Sequence, residues 1–366
     1  MLKSVLAVTL AFLLESCANV AYYTQAVGGH LRVMQAAEPI PRIIHDPSTA
    51  PSLRKKLEKT AEIREFASRE LALPENGSYR SYADLGRPYV VWNVFAAKEL
   101  SMDLEEWCLL FVGCVNYRGY YDRAAAEDFA RGLRARGLET YVANIPAYST
   151  LGFFDDPVLN TFLRFGEEEV ARTVFHELAH QVVFVRGDSS FNESFATTVE
   201  TEGMRRWLAH QADPARFREF EARQQRKARF KELVTEYSDR LREIYSCPWP
   251  EEEKRRAKQE TLDSLRLAYA RLKSSWGGAS GYDAFFDAGL NNARLGSVGL
   301  YTKLVPAFEA LLEQVGHDLP AFYRRVEDLA HLDKEERRAA LDLLLDAPRL
   351  NFPRQTSSVV GQGNYP

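Results

Sequence analysis

The sequence predicts an α+β protein that is mostly helical, with a small sheet ahead of one central helix and a long helical hairpin behind it. Three observations carry this. Short apolar stretches rich in β-branched and aromatic residues are confined to positions 89–145. Helix-forming residues dominate from Glu167 onward. The run from Asp213-Pro214 to Tyr245, closed by Cys247-Pro248-Trp249-Pro250 and followed by Glu251-Glu252-Glu253 before Lys254-Arg255-Arg256, reads as two antiparallel helices spanning 213–275.

Composition narrows the class before any motif is read. The 366 residues are 46% hydrophobic and 27% charged, which suits a packed core. Lys+Arg total 47 against 51 Asp+Glu, a net charge of -4, so there is no basic field to attract nucleic acid. No apolar run approaches the ~20 residues of a spanning helix, which excludes a polytopic membrane protein.

The elements follow in order. Lys3 precedes an apolar run from Val5 to Leu14 and then Glu15-Ser16-Cys17, so residues 1–16 read as a signal peptide. The arrangement resembles a bacterial lipoprotein signal, which implies acylation of Cys17 and a lipid anchor at a membrane surface. Ala18 after the cysteine resembles the pattern sent to the outer membrane, and this implies a location on its periplasmic face. Residues 17–350 then form one domain, with a flexible tail over 351–366. Val20 to Met34 and Ser52 to Leu71 read as helices, joined by an extended connector holding Pro39, Pro41 and Pro47. Strands are expected over Tyr89–Phe95, Leu109–Val115 and Glu139–Ile145, with a helix capped by Asp122 and ended at Gly137 before the third. Cys108 and Cys114 pose a choice: a continuous strand would hold their Cα atoms ~20 Å apart, whereas a disulfide needs them within ~7 Å and a turn near Gly113.

His176-Glu177-Leu178-Ala179-His180 carries the strongest chemical signal. Residues four apart share a helix face, so both imidazoles reach one zinc ion, and Glu177 stands beside the attacking water. At about 100° per residue, Ala171, Val174, Phe175, Leu178 and Val182 form an apolar stripe roughly opposite the histidines. A third ligand is needed, and Glu193 lies thirteen residues after His180. Ser190-Phe191-Asn192-Glu193 also matches a capping box, a competing use for that carboxylate. Glu200 and Glu202 are fallback ligands or substrate-binding groups.

His176 to Gln181 followed by Asn192-Glu193-Ser194-Phe195-Ala196 resembles the paired signature of the gluzincin aminopeptidases of the aminopeptidase N type, with a shorter spacer. The chain is more similar still to the predicted bacterial aminopeptidases, lipoprotein-like zinc proteins. That likeness includes Tyr117-Arg118-Gly119-Tyr120, Ala147-Tyr148-Ser149-Thr150-Leu151-Gly152 and Asn291-Asn292-Ala293. The resemblance implies a gluzincin-like core, a peptide substrate, and zinc held by His176, His180 and Glu193 with Glu177 as general base. Tyr148 and Tyr301 are candidates by type for stabilising the oxyanion, and the segment Tyr141 to Tyr148 for an edge strand that pairs with substrate. An aminopeptidase also needs a carboxylate for the substrate ammonium, for which Asp155, Asp156, Glu200 and Glu202 are available. The alternatives are a zinc endopeptidase and a non-catalytic envelope scaffold.

Overall fold

The computed structural model describes residues 20, 22–109, 113–278, 281–300 and 304–346; the leader with Cys17, Tyr301 and the tail lie outside the described residues. Helix α1 covers residues 22–35. Next come β1 (Ala37–Pro39) and α2 (Ile40–His45), where the sequence predicts an extended connector. The prolines account for the difference: Pro39 is the cap residue and Pro41 sits in the first turn of α2, where a missing N–H removes no helical bond. Helix α3 (Pro51–Leu71) buries Leu57, Ile63, Phe66 and Leu71 along one side.

Strands β2 (Ser81–Ala83) and β3 (Val91–Lys98) are followed by a hairpin of β4 (Trp107–Leu109) and β5 (Gly113–Val115). A continuous strand over Leu109–Val115 is therefore wrong. The chain reverses, Cys108 pairs opposite Cys114, and their Cα atoms stand 3.8 Å apart in a disulfide. Gly113 permits the reversal with φ +79°, and a Cβ there would lie 2.9 Å from the backbone N of Gly187. The hairpin is thus pressed against the loop that leads into helix α7, described below.

After β6 (Arg118–Tyr120) comes α4 (Arg123–Ala135), capped as expected by Asp122, whose side chain accepts from the Ala125 N–H at 2.8 Å. Strand β7 (Leu138–Ile145) then pairs antiparallel along the full length of β3, giving a sheet of order β6-β3-β7. A second small sheet, β1-β2-β8, is closed by β8 (Val158–Leu159) running parallel to β2.

From here the chain is helical: α5 (Asn160–Leu163), α6 (Glu167–Ala179), α7 (Ser189–His210), α8 (Pro214–Ser246), α9 (Glu251–Ser275), α10 (Asp283–Asp287), α11 (Asn292–Leu300), α12 (Val305–Gln314), α13 (Leu319–Ala330) and α14 (Lys334–Asp346). The structure is α+β and mostly helical, and among the described residues no helix is long and apolar enough to cross a membrane. Helices α6 and α7 form the centre of the main core, with Val174, Phe175 and Leu178 facing Phe191, Phe195 and Val199. Gly203 lets them approach closely, since a Cβ there would lie 2.8 Å from both Leu71 and Phe175 side-chain atoms. The hairpin α8–α9 buries the stripe Phe230, Val234, Tyr237 and Leu241 against Leu262, Leu265 and Tyr269.

Asn291 and Asn292 join the helical and sheet parts. Asn292 is fully buried and its amide donates to the carbonyls of Lys98 at 3.1 Å, Glu99 at 2.8 Å and Ser101 at 2.9 Å. Its Oδ1 accepts from Tyr245 at 2.9 Å, and Asn291 donates to the Thr140 carbonyl at 3.0 Å. These residues lock α11, the hairpin and β7 together. Asn292→Ala is expected to lower unfolding stability by about 3 kcal/mol in urea denaturation, because buried carbonyls lose their donor.

Candidate metal centre

The site is built by two antiparallel helices and the turn between them. Within α6 the apolar stripe of Ala171, Val174, Phe175 and Leu178 is fully buried, which leaves His176 and Glu177 on its more open side; Val182, expected in the stripe, lies beyond the helix end and is half-buried. His180 is the residue at which the helix ends. The return to α7 is stapled by Asn192, whose Nδ2 donates to the Val185 carbonyl and whose Oδ1 accepts from the Val185 N–H, both at 2.8 Å. The N-terminus of α7 is capped by Asp188, which accepts from Phe191 N at 3.1 Å and pairs with Arg337 at 3.0 Å. With Asp188 as the cap, the capping-box use of Glu193 falls away and its carboxylate is free to turn inward.

That carboxylate lies between the histidines. Glu193 Oε2 is 3.3 Å from His176 Nε2, and Oε1 is 3.8 Å from His180 Nε2. One ligand atom from each of the three residues falls within 4.8 Å of the others. Two imidazole nitrogens and one carboxylate oxygen suit a divalent metal ion and leave a further coordination position for water or substrate. The residues present therefore fit a metal.

Electrostatics around the trio are asymmetric. Burial pulls the His176 imidazole down, but the hydrogen bonds of Glu193 and Glu200 outweigh it and hold it at about 10. Burial lowers His180 to about 4, so it is a neutral donor at pH 7. Burial pushes Glu177 up to about 7, partly offset by His176 and reinforced by Glu193 and Asp156. Burial acts upward on Glu193 as well, yet its hydrogen bond with His176 and the charge of His180 leave it below the usual carboxylate range.

Glu200, a fallback ligand by sequence, has a different place. It is 3% exposed, and its Oε2 takes a hydrogen bond from His176 Nδ1 at 3.1 Å, the side of the ring away from Glu193. Its Oε1 accepts from Arg172 at 2.6 Å, with Lys227 of α8 at 3.8 Å. Burial is unfavourable to this charge, but Arg172 and Lys227 outweigh it and hold the carboxyl well below its usual range. A carboxylate there holds a proton on Nδ1, so that the Nε2 proton is the one a metal ion would displace and Nε2 the atom it would meet. Glu202 is further removed, engaged by Arg206 at 2.8 Å and His317 at 3.2 Å.

Tyr148, the sequence candidate for the oxyanion, holds His30 Nδ1 at 2.8 Å and packs edge-on against Tyr121, so its hydroxyl is already committed. The hydroxyls that feel the site's charges are those of Tyr79 and Tyr117. Burial, then Glu177 and Asp156, push Tyr79 well above the ordinary phenol range; burial, then Glu193 and Glu177, do the same for Tyr117. Tyr79 is 1% exposed, its backbone is left-handed with φ 62°, and its hydroxyl has no hydrogen-bond partner. Gln181, directly after His180, anchors the loop that carries it, accepting from Asn76 at 2.7 Å and donating to Ser78 Oγ at 3.2 Å. The buried Arg64 secures the same loop through the carbonyls of Pro74 and Ser78, both at 2.7 Å. No sequence pattern marks Tyr79; the nearest hint is the Pro74-Glu75-Asn76-Gly77 turn preceding it.

A protein-family model described as "Putative aminopeptidase" matches residues 21–341. The chain belongs to this family. Membership supports peptide hydrolysis as the broad activity of this aminopeptidase-family protein, with a peptide as its substrate. No curated protein and no solved structure matches it.

Glu200→Gln should weaken metal affinity about 10–100-fold, because His176 loses its orienting carboxylate. Competition with a chromogenic chelator measures this, and an unchanged affinity would remove Glu200 from the metal-binding arrangement.

Proposed function

We propose that the chain is a zinc-dependent aminopeptidase of the bacterial cell envelope, held at a membrane surface by a lipid on Cys17, on the periplasmic side of the outer membrane. The convergence of His176, His180 and Glu193 within 4.8 Å, in a chain of this family, carries the reading. When bound, zinc polarises the scissile carbonyl as a Lewis acid and supplies a nucleophile at neutral pH.

The chain's own groups do the rest. Glu177, raised by burial to about 7, exchanges protons readily at neutral pH, taking one from the attacking water and returning it to the leaving amine. The Tyr79 hydroxyl, buried without a partner and held by the Arg64 and Gln181 contacts, donates to the carbonyl oxygen as charge develops there. It replaces Tyr148 in that role, whose hydroxyl serves His30. Glu200 keeps His176 in the ligating tautomer without touching substrate.

Among the described residues, strand β7 is the edge of its sheet, pairing with β3 alone. Its Thr140 carbonyl points outward to Asn291, so by alternation the backbone groups of Val142 and Asn144 also point away from β3. These groups offer an extended peptide a partner strand, which gives affinity without strict side-chain selection.

Two variants test the chemistry. Glu177→Gln should lose about 10³-fold in hydrolysis of aminoacyl chromogenic substrates while retaining its metal. Zinc bound without hydrolysis by the wild type, or equal hydrolysis by the variant, would defeat the assignment. Tyr79→Phe should lower kcat about 10²-fold with little change in KM; an unaltered kcat would return the oxyanion role to another donor.

A further inference from the structure

The carboxylates around the site differ in how completely they are used. Glu200 is taken by His176 and Arg172, Glu202 by Arg206 and His317, and Glu169 by Arg172. Asp155 is exposed. Asp156, its neighbour, is 2% exposed: Oδ2 accepts the Thr150 N–H at 2.8 Å, while Oδ1 is buried with no hydrogen-bond partner. Among the described residues, no other carboxylate oxygen is so placed.

Its position ties this oxygen to the reaction centre. The Asp156 carbonyl accepts the Tyr79 N–H at 2.6 Å, which holds the Asp156 segment beside the Tyr79 loop. The Tyr79 hydroxyl, also buried and unpartnered, feels the Asp156 charge, and so does the Glu177 carboxyl. Two buried polar atoms without partners, on segments joined by the Tyr79–Asp156 backbone hydrogen bond, mark a place where a polar group that is not part of the protein would be satisfied. Burial raises the Asp156 carboxyl to about 6, with Thr150 and Ser149 pulling it partly back, so it is mainly ionised at pH 7.5. A cation with N–H donors that reaches Oδ1 satisfies the oxygen and neutralises the charge.

We propose that Asp156 receives the free α-ammonium group of the peptide substrate, so that its carboxylate, on the segment beside the Tyr79 loop, is the subsite that measures one residue from the amino terminus. The inference deepens the aminopeptidase reading and rests on it. It names the ligand class as unblocked α-amines. The structure supplies the negative charge at one buried point, and an acetylated terminus would bring neither the charge nor the full set of donors.

The test uses the metal-loaded full chain with leucine p-nitroanilide and its N-acetyl form, in wild type, Asp156→Asn and Asp155→Asn. The wild type should cleave the free amine strongly and the blocked one weakly. Asp156→Asn should reduce that preference about 100-fold, mainly through KM, while Asp155→Asn preserves it. Asparagine keeps an acceptor for Thr150, and metal content and circular dichroism report whether the variant is folded. Binding of 3-methylbutylamine and of its N-acetyl derivative, followed by calorimetry on the wild type, is a second readout that needs neither turnover nor a folded variant. The amine should bind tighter, and equal affinities would overturn the proposal. A folded Asp156→Asn that keeps the free-amine preference would overturn it too, with the peptidase reading intact. Absence of hydrolysis of both anilides by the wild type would instead defeat that reading, leaving the amine comparison to judge the subsite.

Discussion

The buried carboxylate of Glu200 is the point on which the arrangement turns. An ionised group 3% exposed is tolerated only with opposing charge at contact distance, and here that charge comes from two other helices, Arg172 of α6 and Lys227 of α8. Its remaining oxygen meets His176. One carboxylate therefore fastens three helices and fixes the orientation of a candidate metal ligand. Arg216 and Arg223 of α8 extend the attachment to Glu167 and Glu168 in the first turn of α6. The near end of the long hairpin thus supports the charge behind the site.

The parts of the protein legible from sequence are those decided by neighbours along the chain. Asp122 and Asp213 cap helices where expected, because capping depends on the next three residues. His176 and His180 are four apart on one helix, so their meeting is a matter of periodicity. Glu193 required a choice between cap and ligand that turns on Asp188, one residue ahead of the helix start, and on Arg337 far along the chain. The Cys108–Cys114 alternative likewise turns on the reversal at Gly113, which the neighbouring residues do not decide.

Contacts between distant segments were not legible. Tyr79 reaches the site because Arg64 and Gln181 grip its loop from α3 and from the end of α6. Asp156 was one of four carboxylates of equal standing in the sequence, and only burial and hydrogen bonding separate them. Nothing next to Asn292 in the sequence marks its place; its three carbonyl partners lie about two hundred positions upstream and make it a structural clamp. In each case the deciding partner is far away in sequence, where periodicity and propensity carry no information.

Gly203 has a wider consequence. Glu193 and Glu200 lie seven residues apart, two turns of one rigid helix, and the histidines lie on another. The gap between these two rods is set by the direct contact that Gly203 allows with Phe175. The bite of the donor set is therefore a dimension of the hydrophobic core, fixed by apolar packing rather than by loops free to adjust. A bound cation of larger radius would have to wedge the rods apart against that packing, so the core itself would gauge the size of any ion the donor set holds.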